Sequence, residues 1–191
     1  MPQYYVEDSH PAIIDKEIWE CVQLEFDRRK KYAVEYHIKS FNRNSKYNPL
    51  AGKVICGKCG FVYRRRHWLK NRNGDKRLVW QCSERYKVKG VVGCDNKHID
   101  DAVLNESFIS AYNWLVDNKE DNMKRWESLK DDEDIFKRYK AKQFIEIVNT
   151  EGRIDEIDEG LVNKMLYNIV VKEDGNLVVR FVEGTEIECE I

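Results

Sequence analysis

The chain is poor in the features that would make it a membrane protein, a secreted scaffold or a flexible linker. No apolar run approaches the length of a bilayer span, and Met1-Pro2-Gln3-Tyr4-Tyr5 opens the sequence as neither a basic nor an apolar leader. A cytoplasmic protein without a membrane partner is the expectation. Three prolines and ten glycines in 191 residues leave no low-complexity segment, and there are no internal repeats. Four histidines are scattered at 10, 37, 67 and 98, with no nucleophile or acid at a spacing that makes a catalytic pair. The acidic runs of the last third read as solvated helix faces and turns. An enzymatic role for this chain by itself, and a small-molecule substrate, are not expected.

What is present is charge, aromatic residues and six cysteines. Charged residues make up 35% of the chain, aromatics 12%, and mean hydropathy is −0.69. The cores are therefore small, but the aromatic content is too high for disorder. The net charge of −1 hides an asymmetry. Residues 1–27 carry −6, residues 28–99 carry +16, and residues 100–191 carry −11. A surface that meets a polyanion concentrates one sign in this way.

Four of the cysteines lie in the basic segment. Cys56 and Cys59 form C-G-K-C-G, and Cys82 and Cys94 follow at longer intervals. In a reducing compartment such cysteines are ligands or core thiols rather than disulfides. A C-x-x-C-G turn aims two sulfurs to one side, and a second pair from elsewhere closes a zinc tetrahedron. The four sulfurs make a full set. His98 or His67 is the alternative for one position. With no open coordination position the single zinc is structural, and the segment has too few large apolar residues to fold without such a staple. Cys21 is expected to be a core thiol, and Cys189 a packing residue or spectator.

The predicted fold class is α+β: a small zinc β-ribbon with flanking helices and a C-terminal β meander. Asp15 N-caps a first helix whose Ile18, Trp19, Val22 and Phe26 recur as a packing face. It runs out at Arg28-Arg29-Lys30-Lys31. Residues 33–52 are turn formers and cations, either a segment tracking phosphates or a solvated tether. Strands are expected from Phe61 to Leu69 and from Arg77 to Cys82, with Asn73-Gly74 turning the hairpin. Alternation puts Val62, Arg64, Arg66 and Trp68 on one face and Tyr63, Arg65 and His67 on the other. Helices follow over Ile99 to Val116, with Leu104, Phe108, Tyr112 and Leu115 as its apolar face, over Ile135 to Val148, and over Glu156 to Asn168. Met123, Trp126 and Leu129 give only a hint of periodicity between them. The last strands turn at Asp174-Gly175 and Glu183-Gly184.

Several motifs, in order along nearly the whole chain, resemble the C-terminal DNA-binding region of transposon-type large serine recombinases. They are Q-Y-Y-V-E-D-S-H-P-A-I-I-D (Gln3 to Asp15), W-E-C-V-Q-L-E-F-D-R-R (Trp19 to Arg29), N-P-L-A-G-K-V-I-C-G-K-C-G (Asn48 to Gly60), W-Q-C-S (Trp80 to Ser83), Y-K-A-K-Q-F-I-E (Tyr139 to Glu146) and I-V-V-K-E-D-G-N-L-V-V-R-F-V-E-G-T-E-I (Ile169 to Ile187). The resemblance implies three parts: the end of a recombinase domain at 1–32, a linker at 33–52, and a zinc β-ribbon domain at 53–191, with the ribbon itself at 53–98. It implies zinc on Cys56, Cys59, Cys82 and Cys94, and not on His98. It implies double-stranded DNA as partner, at att-type or transposon-end sites, with copies of the protein assembling as dimers and tetramers on DNA in the full-length form. The family's catalytic serine domain has no counterpart here, and residues 117–134 are too short and too weakly heptad-like for the family's long coiled-coil insertion. Expected DNA contacts are Arg43, Lys46, Lys53, Arg64, Arg65, Arg66, Lys70, Arg72, Lys76 and Arg77, arginine being able to pair bidentately with guanine while lysine neutralises phosphate. Two other readings are a zinc-stabilised protein-interaction module and an RNA-binding ribbon in which Tyr63, Trp68 and Trp80 stack on bases.

Overall fold

A computed structural model describes residues 11–39, 47–69 and 76–190. Asp15 starts helix α1 (Lys16–Glu35), its carboxylate accepting from the backbone N–H groups of Glu17 at 2.8 Å and Ile18 at 3.3 Å. The helix runs past the four basic residues at 28–31 and through the boundary drawn at residue 32. Its buried face is not the one expected. Cys21 and Tyr32 are buried, whereas Ile18, Trp19, Val22 and Phe26 stay about half exposed. The neighbours available to α1 explain this: Cys21 faces the Ile135 carbonyl at 3.7 Å, and the Tyr32 ring meets Tyr167 edge-on at 5.2 Å. Both contacts engage the Cys21–Glu25–Arg28–Tyr32 face.

The metal-ribbon segment contributes β1 (Val54–Cys56), β2 (Tyr63–Leu69), β3 (Lys76–Cys82) and β4 (Ile99–Asp100). Strands β2 and β3 pair antiparallel from Tyr63–Cys82 to Leu69–Lys76, and β4 adds to β3 through Val79–Asp100 and Trp80–Ile99. The Asn73-Gly74 turn lies outside the described residues. Helices α2 (Asp101–Asp117), α3 (Lys119–Ser128), α4 (Ile135–Thr150) and α5 (Glu159–Met165) follow, then β5 (Leu166–Val171), β6 (Leu177–Phe181) and β7 (Glu186–Cys189).

Leu104, Phe108, Tyr112 and Leu115 of α2 are buried, as their spacing predicts. The weakly periodic stretch folds as α3 because Trp126 is fully buried against Phe144 of α4, ring centroids 5.6 Å apart, and Asn122 donates to the Leu115 carbonyl at 3.0 Å. The predicted helix over Glu156 to Asn168 is shorter at both ends. Asp158 caps it by accepting from the Leu161 N–H at 2.8 Å, and from Leu166 onward strand pairing overrides helix propensity.

That pairing joins the two ends of the domain. Strand β1 lies parallel to β5, Val54 beside Ile169 and Cys56 beside Val171, giving a four-stranded sheet in the order β1-β5-β6-β7. The meander therefore takes β1 as its edge strand, while β2, β3 and β4 form a separate three-stranded sheet, and Cys56 ends that edge strand. Among the described residues no helix is long and apolar enough to cross a membrane.

Candidate metal centre and the basic ribbon face

The cysteine cluster is assembled by three turns. After β1 the chain reverses at Gly60, which takes φ +76° and donates its N–H to the Cys56 carbonyl at 2.9 Å. A side chain at Gly57 is excluded, because its Cβ would sit 2.8 Å from the Val171 carbonyl oxygen, which instead accepts the Gly57 N–H at 2.8 Å. Cys82 ends β3. Cys94 is brought in where Gly93 passes the 84–85 backbone so closely that a Cβ would lie 2.2 Å from the Glu84 carbonyl oxygen. Only glycine fits there.

The four sulfurs lie within 4.8 Å of one another. Cys56 and Cys94 are 3.6 Å apart, Cys59 and Cys82 3.4 Å. A zinc ion with sulfur at about 2.3 Å sets tetrahedral edges of about 3.8 Å, so the set fits one ion with little movement. Cys56 and Cys82 are buried, Cys59 and Cys94 half-buried. The buried Asn96 side chain donates to the Cys56 sulfur at 3.2 Å and to the Val171 carbonyl at 3.0 Å. The Cys82 thiol, the Asn96 amide and the backbone N–H groups of Cys59 and Lys58 bring the Cys56 thiol down to about 4, against the opposing effect of burial. Burial pushes Cys59 up to about 11. One thiolate is thus favoured before any metal arrives, and a bound cation deprotonates the rest. His98 is not in the cluster: its ring packs on Trp68 at 4.7 Å. Cys21 is the expected core thiol, and Cys189 is half-buried near the Ser107 carbonyl.

Asn96 had no spacing signal in the sequence beyond its place two residues after Cys94. Tyr63 holds the same loop, its hydroxyl donating to the Lys97 carbonyl at 2.7 Å.

The ribbon's two faces separate the arginines. On the inner face, Arg65 pairs with Asp101 (Nε to Oδ1 3.1 Å) and donates to the Tyr47 carbonyl. Asp101 also accepts from Trp80 Nε1 at 2.6 Å. Trp80 and Tyr63 are 1% and 2% exposed, so neither offers a stacking platform. On the outer face, Arg64 and Arg66 are exposed, and the Arg77 guanidinium lies over the Trp68 ring at 5.5 Å while its Nε stands 3.7 Å from Asp100. Lys76 is exposed at the start of β3. Lys53 is half-buried and donates to the Leu166 carbonyl at 2.6 Å. Arg43, Lys46, Lys70 and Arg72 lie outside the described residues.

A knuckle, a returning loop and a basic two-stranded ribbon sharing one thiolate cluster define the segment. Residues 49–113 match the family model of the recombinase zinc beta ribbon domain. The match spans the turn before β1 through most of α2, and the matched segment includes all four cysteines and both ribbon faces. Among solved structures, "Crystal Structure of a LSR-DNA Complex" is 16% identical at a TM-score of 0.49, with 92% of this chain and 67% of that chain covered. "Sequence Requirements of the Listeria innocua prophage attP site" is 20% identical at a TM-score of 0.41, with 91% and 57% covered. This chain thus spans about two thirds of the first and just over half of the second. No curated protein matches it.

Proposed function

We propose that this chain is the zinc-dependent, duplex-DNA-binding region of a site-specific serine recombinase, acting at att-type or transposon-end sites. The observation that carries the reading is the match of residues 49–113 to the recombinase zinc beta ribbon domain, on a segment with an exposed cationic outer face. One structural zinc on Cys56, Cys59, Cys82 and Cys94 would hold the knuckle, the end of β3 and the returning loop together. Its chemistry is cross-linking by thiolate coordination, and it leaves no position for substrate.

Exposed Arg64 and Arg66, with Arg77 and Lys76 beside them, supply the groove-facing or phosphate-facing donors, joined by Arg43, Lys46, Lys70 and Arg72. Arg65 is already engaged within the protein, and Lys53 lies apart from the ribbon face with one side-chain hydrogen bond among the described residues, to the Leu166 carbonyl. Strand exchange belongs to a catalytic serine domain elsewhere in the parent protein, which would assemble as dimers and tetramers on DNA. Residues 1–32 would be the end of a recombinase domain, whose remaining core would cover the exposed Trp19, Val22 and Phe26 stripe. Residues 33–52 would be the linker, and 53–191 the zinc domain.

The test is selection of bound duplexes from a random pool, with and without a strong chelator. A partly specific half-site that is lost with zinc is the expected result. Enrichment that survives complete metal removal refutes the zinc requirement. No enrichment at all refutes the DNA reading.

A further inference from the structure

A second cationic feature lies away from the ribbon. Where the second half of α1, the Ala51–Lys53 turn and the α5–β5 junction meet, they line a half-open cavity of about 320 Å³. That volume is at the small end for ligand sites, suited to a compact group. Arg28, Arg29 and Lys53 line it. Arg28 is held over the Tyr167 ring at 5.6 Å and forks onto Glu25 through two 2.8 Å hydrogen bonds. Arg29 shares that carboxylate at 2.8 Å while keeping its side chain 55% exposed. Lys140 of α4 is buried nearby, its ammonium donating to Gln143 at 3.0 Å.

Against these four cations stand Glu25, already shared by two arginines, and Glu159 in the cavity lining. The Lys53 ammonium makes one hydrogen bond among the described residues, to Leu166, and has protons left for an anion. We propose that this cavity binds one phosphate group, held by Lys53 together with Arg28 and Arg29. Rigid placement of Arg28 by Glu25 and Tyr167 preorganises the site, while excess positive charge in a half-buried seam disfavours leaving it empty of anions. Burial, then the nearby Arg28 and Arg29, brings Lys53 down to about 7. A seated anion reverses that effect, so binding takes up a proton.

The phosphate can come from the DNA backbone, in which case the inference rests on the duplex-binding reading above, or from a free phosphorylated molecule, in which case it does not. Inorganic sulfate, a tetrahedral dianion whose charge is constant across neutral pH, is the probe for calorimetric titration of the whole zinc-loaded chain. One saturable site is expected, at least about tenfold weaker in Lys53→Met and in Arg29→Gln. Affinity should fall with rising pH above about 7, towards tenfold per unit, and this dependence should vanish in Lys53→Met. Zinc content and melting temperature show whether each variant is folded, and Arg29→Gln, on an exposed side chain, guards against misfolding of the other.

A duplex titration then separates the sources. If sulfate competes with duplex, and Lys53→Met lowers the salt slope by about one, the phosphate is the DNA backbone's. If sulfate binds at Lys53 while duplex affinity is unmoved by both variants, the ligand is a free phosphate. Sulfate binding by a chain that binds no duplex keeps the cavity and removes the DNA reading. Sulfate binding of equal strength in wild type and both variants overturns the proposal. So does the absence of saturable sulfate binding together with duplex binding indifferent to both.

Discussion

Replacing Asn96 with alanine should loosen the metal without removing a ligand. The side chain is 4% exposed and makes three hydrogen bonds: to the Cys56 sulfur at 3.2 Å, to the Val171 carbonyl at 3.0 Å, and from the Lys97 N–H at 2.9 Å. The Val171 carbonyl is not orphaned, because Gly57 also donates to it. The bond to Cys56 is the costly loss. Hydrogen bonds to charged groups contribute about 1.5–3 kcal/mol, which is about 10–100-fold in zinc affinity and agrees with the usual effect of removing a partner that orients a metal ligand. The assay is competition for zinc against a chromophoric chelator, with duplex binding followed at the same free-zinc concentrations. Both midpoints should move together by that factor. Asn96→Asp, which keeps the acceptor for Lys97 but sets a carboxylate against a thiolate, should lose more than alanine does. A zinc affinity for Asn96→Ala within twofold of wild type would refute this account of how Cys56 is kept ionised.

Gly93→Ala forces a Cβ to 2.2 Å from the Glu84 carbonyl, so the loop must move, and zinc affinity and melting temperature should both fall. The ribbon arginines should divide: Arg64→Gln and Arg66→Gln reduce duplex affinity and the salt slope with melting unchanged, whereas Arg65→Gln, breaking the pair with Asp101, lowers thermal stability in the absence of DNA. Burial would raise the Glu25 carboxyl, but hydrogen bonds from Arg28 and Arg29 outweigh it and bring it to about 2, below its ordinary 4.5. That depression contributes about 3 kcal/mol, fully present above about pH 4.5 and lost as pH falls towards 2. Denaturant melts of Glu25→Gln should therefore be weaker than wild type by that amount at neutral pH and converge with it in acid. For Lys53, depressed from 10.5 to about 7, the unfolded chain binds the extra proton between those values, so stability rises with pH across that window. The Lys53→Met melting curve should lack the rise.

The parts of this molecule that could be read from sequence are those whose signals are local. Asp15 caps α1 because its carboxylate needs only the next turn, and α2 buries the face that its period marks. Cys56, Cys59, Cys82 and Cys94 converge as their spacing and chemistry demand. What was not legible depends on partners distant in the chain. The Ile18–Trp19–Val22–Phe26 stripe has helical spacing, yet α1 buries the Cys21–Tyr32 face because Ile135 and Tyr167 lie on that side. Residues 166–168 have the composition to continue a helix, and only the strands beside them decide otherwise. Strand alternation correctly divided Arg64 from Arg65, but which face meets solvent depended on Asp101 and Tyr47. Asn96 is an ordinary loop residue until the fold sets it against a sulfur.

The parallel pairing of β1 with β5 has a temporal consequence. Cys56 sits on a strand whose hydrogen-bonded neighbour, Val171, is synthesised 115 residues later. A nascent chain that has emitted all four cysteines still lacks the strand that fixes Cys56 and the carbonyl that anchors Asn96. Thiols exposed in that interval can take metal only loosely, or in wrong pairings, and such long-range closure is slow to nucleate. Secure metal loading is thereby tied to emergence of β5, so a nascent chain halted once Cys94 has left the ribosome but before Val171 is made would display a complete set of ligands and an incomplete grip.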